Sequence, residues 1–586
     1  MALFTRSESP AVVVKEIDLT GGVPNVQSST GAIAGSFRWG PVEERTLIAN
    51  EAELVDKFAS PDSAHTIDFH NASYFLRYSN ALQVVRAVTS AAKNSRATRG
   101  QLGADSDGSL PAEVVKNQAD FDAQLAALDS DSHTFLGKFP GALGNSLQVS
   151  MCPPDTTAFD AWTYKSSFDA VPGTSGYAAG KNASNDEVHV VVVDKDGAFT
   201  GTRGSILETY PFVSVASDAK GIEGQGNFVK NVINDRSEYV WMIDFDSDYK
   251  NSAAPAGSTA DSGDNFDNGL TAATNFDFAG GINSGKLGNS EFLTAHDLFE
   301  DKDIVEVDFL IAPGMTTRSD QTTVVNDLVA IAREKRKDCV VVASPARNDV
   351  VNVTSASTAV TNVVATADTL TSTSYLIVDN NYIKTYDKFN DQFIFMPAAS
   401  STAGIMAATD LNRAPWFSPA GSRRGQYLGI TALAYTPTKS QRDTLYKAGV
   451  NPIANIPGQG VLLFGDKTHL RRTSAFDRIN VRRLFLVLER AISRAAEQVM
   501  FEFNDEFTRA EFVNIVEPVL REVKGRRGIT DFKVVCDATN NTAAVVDRNE
   551  FIANIFIKPA RSINYVTLNF VAVRTGVDFE EVVGTV

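Results

Sequence analysis

At 586 residues the chain is too long for one hydrophobic core, so two to four domains are expected. Apolar residues make up 43% and charged residues 21%, an ordinary globular composition. No apolar run approaches the roughly 18–20 residues that span a bilayer, and the start, MALFTRSESP, lacks the apolar stretch of a secretory signal. The net charge of −17 is unevenly spread: Gly421 to Val586 carries 23 Lys and Arg against 18 Asp and Glu, the remainder 31 against 53. An acidic body excludes wrapping of nucleic acid, whose phosphates need a basic footprint. The mildly basic C-terminal part either steers towards an acidic protein surface or is scatter.

Pro10–Asp18 (PAVVVKEID) is a β-branched run standing almost alone, with Val12, Val13, Val14 and Ile17 as its apolar positions. Val42–Ala87 reads as compact α/β structure: helices around Glu51–Phe58 and Asp68–Ser79, then strand Leu82–Ala87. Ser90–Ser132 is polar, and Met151–Asn185 shows little periodicity. Val188–Asp194 (VHVVVVD) predicts a strand, with a turn at Lys195–Gly197. Asn251–Gly285, rich in Gly, Ala, Ser and Asp, predicts a mobile surface loop. Val305–Ala312, Gln321–Lys337 and Cys339–Ser344 follow as strand, helix and strand, an order that favours a parallel pair with a right-handed crossover. Val350–Ser374, almost all Val, Thr, Ala and Ser, is ambiguous. Tyr375–Val378 and Phe393–Met396 predict short strands joined by a polar link, Asn380–Asp391.

In the C-terminal part, Ile479–Phe503 predicts a long amphipathic helix. Val481, Leu484, Phe485, Leu488, Ala491, Ile492, Ala495 and Val499 form one apolar face, and Arg482, Arg483, Arg490 and Arg494 lie off it. Thr508 and Glu511 have capping-box spacing for a second helix ending near Gly525, which Pro518 should kink or split. Phe551–Lys558 and Ser562–Arg574 alternate with period two. Phe551, Ala553, Ile555 and Ile557 share one face of the first, and Val566, Leu568, Phe570 and Ala572 one face of the second. Extended segments at both ends without an obvious local partner suggest pairing with other copies of the chain; pairing within one subunit is the alternative.

Sites for chemistry are not found. In Gly460–Thr468 (GVLLFGDKT), Asp466 breaks P-loop spacing and puts a carboxylate where phosphate would sit, so a turn between strands is expected. Asp244, Asp246 and Asp248 alternate like a calcium loop, but Tyr249 and Pro255 stand where that loop needs Gly and Glu. The six His residues lack metal-pair spacing. Cys152, Cys339 and Cys536 suggest neither a disulfide framework nor a zinc cluster and suit a reducing compartment. No catalytic residue, cofactor or metal is expected.

Several segments, in order along most of the chain, resemble the contractile tail sheath proteins of bacteriophages. They are Ala32–Pro41 (AIAGSFRWGP) with Asn50–Phe58 and Leu82–Ala87, Gly137–Ser150, Val193–Pro211, Ala295–Glu300, Pro415–Gly425 (PWFSPAGSRRG) and Gly449–Asp466. Ser474–Leu484 (SAFDRINVRRL) is the most specific, followed by Arg526–Gly528 and Asn554–Asn569. The resemblance implies an α/β and α+β multidomain chain. Its parts would be an N-terminal arm (1–20), a middle domain in two pieces (21–89 and 300–430), a β-rich outer insertion (90–299) and an α/β inner domain (431–586) ending in arm 562–586. It further implies a subunit of stacked six-membered rings around a tail tube, contracting to drive the tube through the host envelope for genome delivery without nucleotide. The expected partners are other copies, the tube protein, and baseplate and terminator proteins, with neither nucleic-acid contact nor membrane insertion. The subunit would be assembled in the host cytoplasm and would end in the virion. Arg471, Arg472, Arg482, Arg483, Arg490 and Arg494 are candidates to face an acidic tube, or else they cap helices and solvate a face. The sheath of a bacterial injection device or tail-like bacteriocin is the rival reading, and a capsid or surface-layer protein a further one.

Overall fold

The computed structural model describes residues 29–97, 114–128 and 134–564. The expected N-terminal strand Pro10–Asp18, with Val12, Val13, Val14 and Ile17, lies outside the described residues. So do Val566, Leu568 and Phe570 of the second C-terminal run.

The centre is a six-stranded sheet in the order Leu376–Val378, Val340–Ala343, Phe309–Ile311, Gly31–Gly35, Leu82–Arg86, Arg45–Ile48. Neighbouring strands are parallel except the last pair, which is antiparallel. Parallel strands need both faces covered, hence their near-continuous apolar sequences. Alternation sorts them: Ile33, Val84, Ile311, Val342 and Ile377 face a core with helices Thr66–Leu76 and Ala399–Asn412. Ala32, Val85, Leu310, Val341 and Leu376 face the opposite core, with Arg318–Ala330 and Ala356–Thr369. The expected β-α-β unit is present, its helix starting at Arg318 and passing into a π-helical stretch, Ile331–Arg336. Lys337, in the left-handed region at φ 63°, ends it.

One ambiguity in this region is resolved and one expectation needs correction. Val350–Ser374, ambiguous in sequence, contains a helix, Ala356–Thr369, because the Ser355 side chain caps it and Ala359, Val360, Val363 and Ala367 line one buried face. The polar link Asn380–Asp391 contains strand Tyr382–Asp387, the middle of a three-stranded antiparallel sheet with Gln392–Pro397 and Ala432–Leu433. Its polar residues are satisfied inside the fold: Asp387 accepts from Thr66 at 2.6 Å and from Asn390 at 2.7 Å.

The insertion between the two parts of the central sheet is β-rich. It holds a four-stranded antiparallel sheet (Thr274–Asp277, Leu147–Cys152, Glu187–Asp194, Ser205–Ser214) and a three-stranded one (Asn94–Ala97, Phe135–Pro140, Val240–Met242). The expected strand Val188–Asp194 is there, and its turn is organised by Asp194, whose carboxylate accepts from the backbone amides of Gly197, Ala198, Phe199 and Thr200. Asn251–Gly285 is not a free loop. It contributes strand Thr274–Asp277, and Ala254, Ala260, Phe266, Phe276 and Phe278 enter the insertion's core. Burying those three rings outweighs the turn-forming composition around them.

Arg86 joins the two bodies. It is 1% exposed and donates to the carbonyls of Phe37 (2.9 Å), Gly40 (2.7 Å) and Pro140 (2.5 Å). Burial pushes its guanidinium down to about 9. Arg86→Met leaves those carbonyls buried without donors, at about 1–3 kcal/mol each. We expect a fall of roughly 10 °C or more in the calorimetric transition of the variant, whereas Arg45→Met, on the edge strand, should move it far less.

Candidate interaction surface of the C-terminal domain

Helix Ile479–Glu497 is the long amphipathic helix that the sequence predicts, and ends earlier than expected. Leu484, Leu488 and Ala495 pack against Phe512, Val516, Leu520 and Val523 of helix Glu506–Gly525. The N-cap of the second helix lies three residues before the expected one. Asp505, in extended backbone, accepts from the Thr508 amide at 2.8 Å, so Thr508 lies within the first turn. The helix is not split at Pro518.

The expected strand Phe551–Lys558 begins at Asn554 and has a local partner, correcting the reading that it lacks one. It pairs antiparallel with Ile529–Val535, which the sequence pattern did not reveal. Phe532, Val534, Ile555 and Ile557 rest on the two helices. Asn554, Phe556 and Lys558 on one strand and Thr530, Asp531 and Lys533 on the other are exposed. Among the described residues this sheet has only these two strands. Its outer edges therefore carry unpaired backbone donors and acceptors, and a lone two-stranded sheet is marginal in water.

The expected arginine face is not a free cationic surface. Arg482 is 8% exposed, donates to Ser374 Oγ at 2.9 Å from Nε, and lies 4.3 Å from the rings of both Tyr375 and Phe476. Burial pushes its guanidinium down. Arg483 is paired with the buried carboxylate of Asp410 and lies over Phe309. Arg490 pairs with Asp308 at 2.9 Å, and Arg494 with Glu306. Arg471 pairs with Asp368 at 2.8 Å, and Arg472 is exposed. Single-helix periodicity misses this because the helix is covered on more than one side: Ile479 and Leu486 enter the core beneath the central sheet. Beyond its end, Met500, Phe501, Phe503 and Phe507 are exposed, with Phe501 at φ 70°.

Asp466, which broke the P-loop pattern, follows the strand pair Ile453–Ile456 and Gly460–Leu463 and is an anchor rather than a turn residue. Its carboxylate accepts from Ser562 Oγ at 2.7 Å, Arg478 Nη1 at 2.9 Å, Asn564 Nδ2 at 3.0 Å and Tyr446 Oη at 3.1 Å. Burial pushes this carboxyl up, but the bonds from Ser562 and Asn564 and the Arg478 charge outweigh it, so the net shift is downward. Beside it lies a groove of about 1200 Å³ whose apolar wall includes Trp416, Phe417, Phe464 and Ile563. Among the described residues no cluster of His, Cys, Asp or Glu is built to hold a metal, and no helix is long and apolar enough to cross a membrane.

Two family models match the chain: the phage tail sheath protein central domain over residues 285–469 and the phage tail sheath C-terminal domain over 471–572. The tail sheath protein of Enterobacteria phage T4 is 32% identical, over 98% of this chain and 99% of its own length. This chain belongs to the phage tail sheath protein family. The tail sheath proteins of Vibrio phage KVP40 and Salmonella phage ViI are similar at 32% and 30% identity, across 98% and 99% of this chain. Among solved structures, the sheath tail protein Lin1278 of Listeria innocua matches with a TM-score of 0.54 over 93% of this chain and 94% of its own, at 12% identity. A sheath tail protein of Desulfitobacterium hafniense matches at 0.50 over 94% of this chain and all of its own, at 14% identity. At such identities these two bear on the fold alone, a mixed α/β multidomain one. The chain is thus a structural component of a phage contractile tail.

For this sheath subunit, Asp466→Ala removes the acceptor that fixes Ser562 and Asn564. Hydrogen bonds to a charged group are worth about 1.5–3 kcal/mol, so amide exchange at residues 562–564 should accelerate at least tenfold. Because the folded carboxyl titrates below its free value near 3.9, the wild-type contribution is complete above that pH. It is lost as the pH falls through the folded value, and the Asp466→Ala variant should lack this acid dependence.

Proposed function

We propose that the subunit polymerises as stacked six-membered rings around the tail tube and contracts to push the tube through the host envelope for genome delivery. Its other partners would be the baseplate and terminator proteins. The observation that carries the finer part of this reading is the two-stranded sheet Ile529–Val535 and Asn554–Pro559, with its edges unpaired among the described residues. Arms from neighbouring copies complete it: Pro10–Asp18, through Val12, Val13, Val14 and Ile17, and the segment holding Val566, Leu568 and Phe570. Each strand-addition hydrogen bond contributes about 0.5–1.5 kcal/mol net, so a few per arm hold subunits together while their bodies reorient. No nucleotide is consumed, since the extended polymer is the metastable state.

Deleting residues 1–18 should leave a soluble subunit that forms no striated tubes under the electron microscope; normal sheaths from the truncated chain overturn the arm reading.

On the tube side we propose a division of labour among the six arginines. Arg472 and Arg471, both exposed, contact the tube. Arg482, Arg483, Arg490 and Arg494, bonded within the chain, hold the inner helix in place. Arg472→Glu should weaken tube-templated assembly several-fold, seen as shorter sheaths in co-assembly, with the melting temperature unchanged. Arg483→Glu, which sets a carboxylate against the buried Asp410, should instead lower stability by about 3–5 kcal/mol in the free subunit.

A further inference from the structure

The groove beside Asp466 exceeds the ~300–1,000 Å³ of small-molecule pockets and is lined by cations. Arg423, Arg424, Lys439, Arg442, Arg527 and Arg561 surround it. Two carboxylates, Asp443 and Asp466, also line it, and the second is already committed to Arg478, Ser562 and Asn564. Arg424 lies 5.6 Å from the Phe417 ring and Arg442 5.5 Å from Phe464, so charge and aromatic surface are interleaved. Phe464 is 49% exposed. Such a surface suits a segment bearing both carboxylates and an aromatic ring.

The chain contains one such segment close by. Residues 577–583 read Val-Asp-Phe-Glu-Glu-Val-Val, and no cation occurs between Arg574 and Val586. Arg561, Ser562, Ile563 and Asn564, the last described residues, line the groove themselves, so the chain continues from its wall. Residues 565–576 reach at most about 40 Å when extended, more than enough to turn back into the groove from which they depart.

We propose that residues 577–583 dock in this groove of their own subunit before assembly. Asp578, Glu580 and Glu581 lie against the cations, and Phe579 lies against Trp416 and Phe464. The short tether makes the local concentration of the segment high, so modest intrinsic affinity suffices. The contact is charge-led and partly exposed, which makes it sensitive to salt.

The test uses the full-length, unpolymerised chain, so it is independent of strand exchange in the sheath. Thr530→Cys or Ala420→Cys on the groove wall is combined with Val577→Cys, Phe579→Cys, Val582→Cys or Val583→Cys; the native Cys residues are buried. At least one pair should form an intrachain disulfide at low salt, with a yield several-fold lower at high salt. Reversing Asp578, Glu580 and Glu581 to Lys should abolish it, and adding Arg424→Glu and Arg442→Glu should restore it. Three results overturn the proposal: no disulfide from any pair, disulfides only between isotopically labelled and unlabelled chains, or a yield indifferent to charge reversal. Thermal melting of each variant separates loss of docking from loss of fold.

Discussion

Helix Ile479–Glu497 has to satisfy two cores at once, and the placement of the whole C-terminal region follows from that. Ile479 and Leu486 enter the core beneath the six-stranded sheet, while Leu484, Leu488 and Ala495 belong to the core of the terminal domain. A helix shared in this way cannot rotate or slide without opening one core, and a buried side chain such as leucine is worth about 1.5–3 kcal/mol on each side. Arg483 reinforces the arrangement. Its buried pair with Asp410 links this helix to Ala399–Asn412, which packs on the central sheet. The pair adds little net stability over an apolar alternative, but losing one partner is costly, so it fixes position more than it adds strength.

The terminal sheet hangs from this fixed helix with its backbone edges open among the described residues. The molecule thus combines parts that resist deformation with a small sheet whose edges have no partner strand among the described residues. The layered central domain is the first kind, with both faces of its parallel sheet covered. The sheet of Ile529–Val535 and Asn554–Pro559 is the second. The function proposed above uses both, the first as bodies that reorient and the second as connections that persist. The Asp466 cluster lies where the two meet: it fixes Ser562 and Asn564, so whatever follows them leaves from a defined point.

How much of this could be read from the residues varied by segment, for physical reasons. Val188–Asp194 and Leu82–Ala87 were legible because their alternation and β-branched content are unbroken. Ile529–Val535 was not, because Asp531 and Lys533 occupy its exposed face and disguise a half-buried strand. Gly31–Gly35 was missed as a strand because small residues let the neighbouring helix approach: a Cβ on Gly31 would sit 2.7 Å from the Phe75 ring. In Asn251–Gly285, three phenylalanines decide the packing, and composition averages hide them. The arginines show the limit most clearly. Periodicity identifies the residues off one apolar face, but it cannot tell whether a second body covers them. The family resemblance carried further than any single element, because many weak matches in the right order constrain one another.

The joint made by Arg86 has a different character from the ion pairs among the described residues. Its bonds go to backbone carbonyls, which are fixed dipoles without net charge. Dissolved ions that weaken surface pairs have little purchase on a cation sealed among neutral oxygens. The rivet between the insertion and the central sheet is therefore indifferent to ionic strength, and the two keep their alignment from dilute water to concentrated salt.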